Sequence, residues 1–167
     1  VGLSGFEPAV HALGDALRAR GWRCGAAESC TGGLLAAACT SVAGSSDWFE
    51  RGVVTYTNAA KTALLGVDAA LFERVGAVSE EVARAMAAGL VARAPIELAV
   101  AITGIAGPGG AVPGKPVGTV WLAVAVKAPG APVAAVTAER LHLPGDRGAV
   151  RSAAVAAALQ RLIAAAA

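Results

Sequence analysis

Ala27-Glu28-Ser29-Cys30-Thr31-Gly32-Gly33-Leu34 is the stretch whose reading decides the fold. It follows a short apolar run from Trp22 to Ala27, which reads as a strand. It opens an Ala/Leu-rich run, Leu34 to Val42, which reads as a helix over 32–42. A strand that turns through Ser, Thr and two glycines into a helix brings the free N–H groups of the helix N-terminus beside side-chain hydroxyls. Such a spot suits a phosphate, a carboxylate or the oxyanion of an acyl-transfer reaction. The same residues also suit a plain tight turn with Thr31 as helix cap, and on this segment alone both readings stand.

Working outward, residues 7–20 place Val10, Leu13 and Leu17 at helical spacing and end in Arg18-Ala19-Arg20-Gly21, a basic last turn with a glycine stop. Ala43 to Asp47 is a loop. Gly52 to Thr57 is rich in β-branched residues and reads as a second strand. Asn58 is the expected N-cap of a helix over Ala59 to Leu65, and 68–75 reads as a short helix. Ser79-Glu80-Glu81 starts a helix to about Ala94, with a capping serine and acids in its first turn. Ile96 to Thr103 is an apolar run typical of a strand buried on both faces, and it empties into a glycine-rich loop, 103–110. Thr119 to Val126 and Val133 to Leu143 are two more strands. Their link, Lys127 to Pro132, is too short for a crossover helix, so they form an antiparallel hairpin. Helix 147 to about 163 closes the chain. Strands alternating with helices give an α/β fold with a mixed, mostly parallel sheet.

The chain has 167 residues, which suits a single domain over 1–167. Apolar residues are 56% of it, much of that alanine, and no unbroken apolar run reaches the roughly 18 residues a membrane span needs. No charged-then-apolar leader stands at the first residues, and a start at Val1 without methionine is compatible with a piece of a longer chain. Cys24, Cys30 and Cys39 are an odd, scattered set that argues against a disulfide framework and for a reducing, cytoplasmic setting. With only His11 and His142 to add, they make no convincing metal set. A net charge of +2, without a basic run, gives no footprint for nucleic acid.

Two glycine-rich loops, 29–33 and 103–110, follow strands. In α/β sheets ligands gather at strand carboxyl ends, so parallel neighbouring strands would make both loops frame one pocket. Neither loop carries a P-loop or dinucleotide fingerprint. Ser29 is the nucleophile candidate, and a serine needs a base. His11 lies in the first helix and His142 in a strand, so the base falls to a lysine or a tyrosine. Lys61 is one of three lysines against eleven arginines, and lysine, unlike arginine, can lose its proton when desolvated. A solvated helix lysine is the plainer reading of the same residue. Tyr56 can donate to the nucleophile, stack on a flat ring, or simply sit half-buried at a strand end. Arg147 and Arg151, one helical turn apart, are a phosphate clamp or a solvated face. Glu28 suits a ribose hydroxyl, an orienter of Lys61, or an arginine partner. Ser46, with Ser45, is a loop residue that can relay a proton. Cys30 at a helix N-terminus is expected to have a lowered thiol pKa.

The ordered set Ala27 to Gly33, Ala43-Gly44-Ser45-Ser46 with Trp48-Phe49, Gly52 to Asn58 with Lys61, Gly76 to Ser79, Thr103 to Pro108 and Lys115 to Val120 resembles the CinA C-terminal domain family over nearly the whole chain. The resemblance implies a three-layer α/β/α domain with nicotinamide mononucleotide deamidase activity. That reaction hydrolyses the carboxamide to nicotinate mononucleotide and ammonia in pyridine-nucleotide salvage. Ser29 would attack, Lys61 helped by Tyr56 would move the proton, and N–H groups around Thr31, Gly32 and Gly33 would hold the oxyanion. Asn58, Thr103 and Gly104 would contact substrate with Glu28 and Ser46, and Arg147 or Arg151 would meet the phosphate. No cofactor or metal is implied. The partners expected are the nucleotide substrate, a second copy in a homo-oligomer (a dimer) and, in a longer chain, an N-terminal domain; nucleic acid and membrane are not. Thr57, Ala59 and Ala111 depart from residues the family often has there, without removing a catalytic group. A non-catalytic nucleotide-binding module linked to competence or DNA damage, and a hydrolase of another small amide, are the rival readings.

Overall fold

In the computed structural model, which describes residues 2–167, the chain runs α1 (Glu7–Arg20), β1 (Cys24–Glu28), α2 (Leu34–Thr40), β2 (Phe49–Val54), α3 (Asn58–Leu65), α4 (Ala69–Val75), α5 (Glu80–Arg93), β3 (Leu98–Gly104), β4 (Thr119–Val126), β5 (Ala135–His142) and α6 (Arg147–Ala166). The strands form one sheet in the order β2-β1-β3-β4-β5. β1 is parallel to both β2 and β3, whereas β3–β4 and β4–β5 are antiparallel. Four of the five strands therefore point one way and β4 points the other. The β4–β5 hairpin is in register from Thr119 opposite His142 to Val126 opposite Ala135.

Side-chain alternation along the buried strands sets the layers. Leu98, Val100 and Ile102 of β3 pack with Val10 and Leu17 of α1, Leu35 of α2 and Val155 and Leu159 of α6. Ala99 and Ala101 of the same strand face Val82, Met86 and Leu90 of α5 on the other side. Large residues on one face and alanines on the other let α5 lie close to the sheet. By length and composition α6 is apolar enough to span a bilayer. Its Val150, Ala154, Val155, Leu159 and Leu162 are instead buried in the core.

Several element ends differ from the sequence-based expectation, each for a local reason. Thr57, not Asn58, is the N-cap of α3: its side chain accepts from the Ala60 N–H, and Asn58 is the first helical residue. β2 begins at Phe49 and stops at Val54, short of Thr57. β3 starts at Leu98 because the Ile96 N–H turns back to the Ala94 carbonyl. Val133 lies outside β5 and is 76% exposed. α6 runs on to Ala166 through a run of alanines, the best helix formers, and Ala166 itself is buried.

The topology positions the site. From β1 the chain crosses to β2 on one side, and β3 lies on the other, so the carboxyl ends of β1 and β3 flank a switch-point crevice. The Ser29 N–H donates to the Ile102 carbonyl at 3.0 Å and joins the two loops there.

Gly89 sits where α5 crosses the end of α3, and a Cβ on it would drive into the Leu65 carbonyl. Gly89→Ala is therefore expected to destabilise by about 1–3 kcal/mol despite alanine's better helix propensity. Urea denaturation checks this, and an unchanged midpoint would contradict the close approach.

Candidate active site

Ser29 follows β1 directly and is 8% exposed. Lys61 comes from the middle of α3 and is 1% exposed. Its Nζ lies 3.0 Å from Ser29 Oγ, 2.8 Å from the Thr55 carbonyl oxygen and 3.4 Å from that of Tyr56. No carboxylate pairs with it among the described residues. Burial holds its pKa below the ordinary lysine value, with nearby Cys30 pushing the other way. A neutral amine suits this cage: two N–H groups go to the two carbonyls and the lone pair takes the Ser29 hydroxyl proton. An ammonium suits it too, with Ser29 Oγ then accepting. In either protonation state every partner of Nζ stays hydrogen-bonded.

Glu28 is fully buried. Its carboxylate accepts from the Leu35 N–H at 3.0 Å and the Ala36 N–H at 2.9 Å, the first turn of α2. It reaches neither Lys61 nor the cleft, so its expected contacts with a ribose or with Lys61 are corrected. Alternation along β1 sends it to the α2 face, and the helix N-terminus is a favourable place for an anion. Thr31 does not cap α2: its buried Oγ1 has no partner. Gly32 (φ 58°) and Gly33 (φ 96°) adopt left-handed backbone that only glycine takes up readily, and this delays the helix to Leu34. The Gly32 N–H donates to the Ser29 carbonyl and the Leu34 N–H to that of Thr31. The N–H groups of Thr31 and Gly33 make no hydrogen bond among the described residues. The unpaired N–H groups thus lie in the turn, since Glu28 fills the helix end, and Thr31 itself is fully buried.

A cleft of about 210 Å³ is lined by Ser29, Lys61, Tyr56, Asn58, Thr103 and Arg147, with Cys30, Gly104, Ala77, Val78 and Ala106 completing the wall. Thr103 is buried, and its hydroxyl donates to the Ala77 carbonyl at 2.9 Å, tying the β3 loop to the segment before α5. Tyr56 is 57% exposed and lies beyond β2. Its hydroxyl accepts from Arg147 Nη2 at 3.0 Å; only its main-chain carbonyl meets Lys61. Arg147 also donates from Nη1 to the Gly107 carbonyl at 2.8 Å. Arg151 is not among the cleft residues, because its guanidinium is taken by the carbonyls of Cys30 and Thr31. Ser46 is exposed in the turn before β2, where the Cys24 N–H meets the Trp48 carbonyl at the opposite end of β1 from Ser29. A relay through Ser46 is thereby corrected. His11 and His142 are exposed and outside the cleft. Sequence reasoning from single residues did not single out Ala77, Val78 and Ala106, whose apolar side chains carry no chemical signal.

The profile of the CinA C-terminal domain family matches residues 7–166. The chain belongs to the CinA C-terminal domain family. This CinA domain is 51% identical over 148 residues to the nicotinamide-nucleotide amidohydrolase PncC of Enterobacter agglomerans, covering 89% of this chain and 87% of that one. It is 57% identical over 136 residues to a CinA-like protein of Mycolicibacterium vanbaalenii, covering 81% of this chain but only 31% of that longer one. The crystal structure of the competence/damage inducible protein CihA from Agrobacterium tumefaciens superposes with a TM-score of 0.87 at 43% identity, over 95% of this chain and 93% of that one.

Two predictions follow from the turn of this CinA domain. Burial pushes the Cys30 thiol up to about 11, outweighing its own backbone N–H and the charges of Arg151 and Arg147, so the low pKa expected at a helix N-terminus is corrected. Cys39 is pushed to about 12 and Cys24 well above its ordinary value, both by burial. Ellman's reagent at pH 8 should titrate no fast-reacting thiol in the native chain and all three in denaturant; a rapid native thiol would contradict this. Glu28→Gln replaces one accepting oxygen with an NH₂ that faces a backbone donor. It is expected to cost about 1–3 kcal/mol of stability, read from chemical denaturation.

Proposed function

We propose that this chain hydrolyses the carboxamide of nicotinamide mononucleotide, with Ser29 as nucleophile and Lys61 as its base. The single observation that carries the mechanism is the buried Lys61 Nζ, 3.0 Å from Ser29 Oγ and unpaired with any carboxylate. The reaction itself is supported by the name of a relative that matches most of both chains at 51% identity.

Lys61 takes the Ser29 proton as Oγ attacks the carboxamide carbon. The tetrahedral oxyanion accepts from N–H groups of the turn after Ser29; one such donor contributes about 3–4 kcal/mol to lowering the barrier. Collapse breaks the C–N bond, and Lys61 gives its proton to the departing ammonia. Lys61 then takes a proton from the water that attacks the Ser29 ester and returns it to Ser29 Oγ as the C–O bond breaks and nicotinate mononucleotide leaves. No residue lining the cleft is acidic, and Lys61 and Arg147 are its charged groups. Arg147 has donors beyond those on Gly107 and Tyr56, and it is the residue proposed for the phosphate. Tyr56, exposed on the cleft wall, offers a ring face to the pyridinium. Asn58, Thr103 and Gly104 complete the substrate contacts. The chain acts as one domain over 1–167, and three unpaired thiols suit a reducing cytoplasm.

Ammonia release from nicotinamide mononucleotide tests this. Ser29→Ala and Lys61→Met should each lose about 10³-fold or more in kcat while staying folded. Lys61→Arg should not rescue, since arginine keeps its proton. The base works as a free amine, so kcat/KM should rise with pH through the lowered Lys61 pKa and level off before the ordinary value of 10.5. Turnover surviving Ser29→Ala would move the nucleophile elsewhere. Tight nucleotide binding without turnover would make the domain a binding module.

A further inference from the structure

Arg151 lies one turn into α6, remote in sequence from the Ser29 turn, yet its planar fork is spent on that turn. Nε donates to the Cys30 carbonyl at 3.1 Å and Nη2 to the Thr31 carbonyl at 3.0 Å. No carboxylate pairs with Arg151 among the described residues. The side chain that could have held the turn from within, Thr31, leaves its buried Oγ1 without a partner. The Cys30 carbonyl is therefore fixed from outside, by α6, and the Thr31 carbonyl by α6 together with the Leu34 N–H.

A trans peptide unit is planar, with its N–H directed opposite to its carbonyl. Holding the Cys30 carbonyl fixes the direction of the Thr31 N–H, and holding the Thr31 carbonyl fixes that of the Gly32 N–H. The Gly32 N–H closes the turn on the Ser29 carbonyl at 3.0 Å. The Thr31 N–H is free, and it points away from the guanidinium. A cation on the carbonyl of a peptide unit also polarises its N–H and makes it a stronger donor. We propose that Arg151 is a positioning residue that fixes the peptide units of the turn after Ser29, and with them the nucleophile, rather than a contact to substrate. The proposal rests on Ser29 being the nucleophile of the amidohydrolase reading. Lysine would supply a point charge without the two-pronged geometry and is no substitute.

The experiment measures Arg151→Ala and Arg151→Lys with two substrates. One is nicotinamide mononucleotide, and the other is p-nitrophenyl acetate, which acylates serine and carries no phosphate. Folding of each variant is checked by circular dichroism and thermal melting. If Arg151→Ala does not fold, Arg151→Lys carries the test. On the nucleotide, kcat should fall about 10²-fold with KM within about threefold. Acylation of Ser29 by the ester should fall by a similar factor, and added guanidinium ion should restore part of the lost kcat to Arg151→Ala. A raised KM with kcat intact and unchanged acylation by the ester would overturn the proposal and make Arg151 a phosphate contact. A parent chain that acylates with the ester but releases no ammonia refutes the substrate reading alone, and the acylation rates of the variants then decide the role of Arg151. A parent without acylation or turnover overturns both.

Discussion

The amine of Lys61 is surrounded by one hydroxyl and two carbonyls and is buried at the wall of the cleft, and the site is built around that contact. Burying an unpaired ammonium costs several kcal/mol, and the usual relief is a lowered pKa. The surrounding backbone makes either protonation state tolerable. Thr55 supplies its carbonyl because its N–H is held by the Glu28 carbonyl at 2.8 Å, which continues the β1–β2 pairing one residue past the strand end. Thr57 then starts α3 at once, so Lys61 falls one turn beyond the cap, in the middle of this short helix, and points back over the strand ends. Hydrogen bonds from the Gly66 and Val67 N–H groups back to the Thr62 and Lys61 carbonyls close the helix at Leu65 and keep it short. Each of these features would be unremarked in isolation; together they fix one amine beside one hydroxyl.

A second constraint keeps the two buried ionisable groups apart. Glu28 and Ser29 are adjacent, and alternation along an extended strand sends them to different sides. Glu28 therefore spends its charge on the α2 N-terminus, and Ser29 is left to face Lys61. A carboxylate on Lys61 would hold the ammonium and remove the lone pair the serine needs. Placing the acid under the helix stabilises the strand-turn-helix without raising the lysine's pKa. The same placement leaves the unpaired N–H groups in the turn rather than at the helix end.

What the sequence makes legible is what local pattern controls. The buried runs of β1, β3 and β4, the glycine stop after α1 and the Ser79 cap of α5 read directly, because burial and capping leave periodic or positional marks. The link from Lys127 to Pro132 reveals the hairpin by its length alone. Lys61 is legible only faintly, as a lysine kept in an arginine-rich chain, since its 32-residue separation from Ser29 exists only in the fold. Partner choice is not legible. Ser46 resembles a relay until the turn before β2 places it at the far end of β1. Cys30 resembles an activated thiol until burial outweighs its electrostatic surroundings. Likeness to a family supplies the reaction, which no periodicity encodes.

Arg147 and Arg151 show how far spacing can mislead. One helical turn apart, they share a face of α6 and suit a two-residue anion clamp. Their neighbours divide them. Arg151, half-buried against the Ser29 turn, meets two main-chain carbonyls, and those contacts use the two prongs of its fork. Arg147, exposed at the first residue of α6, holds Gly107 and Tyr56 by one hydrogen bond each. It borders the cleft with donors to spare. Burial thus separates an arginine that shapes the protein's own backbone from one free to meet a ligand. Because both sit on the last helix, docking of α6 onto the sheet is what ties the Ser29 turn and the cleft wall to one element.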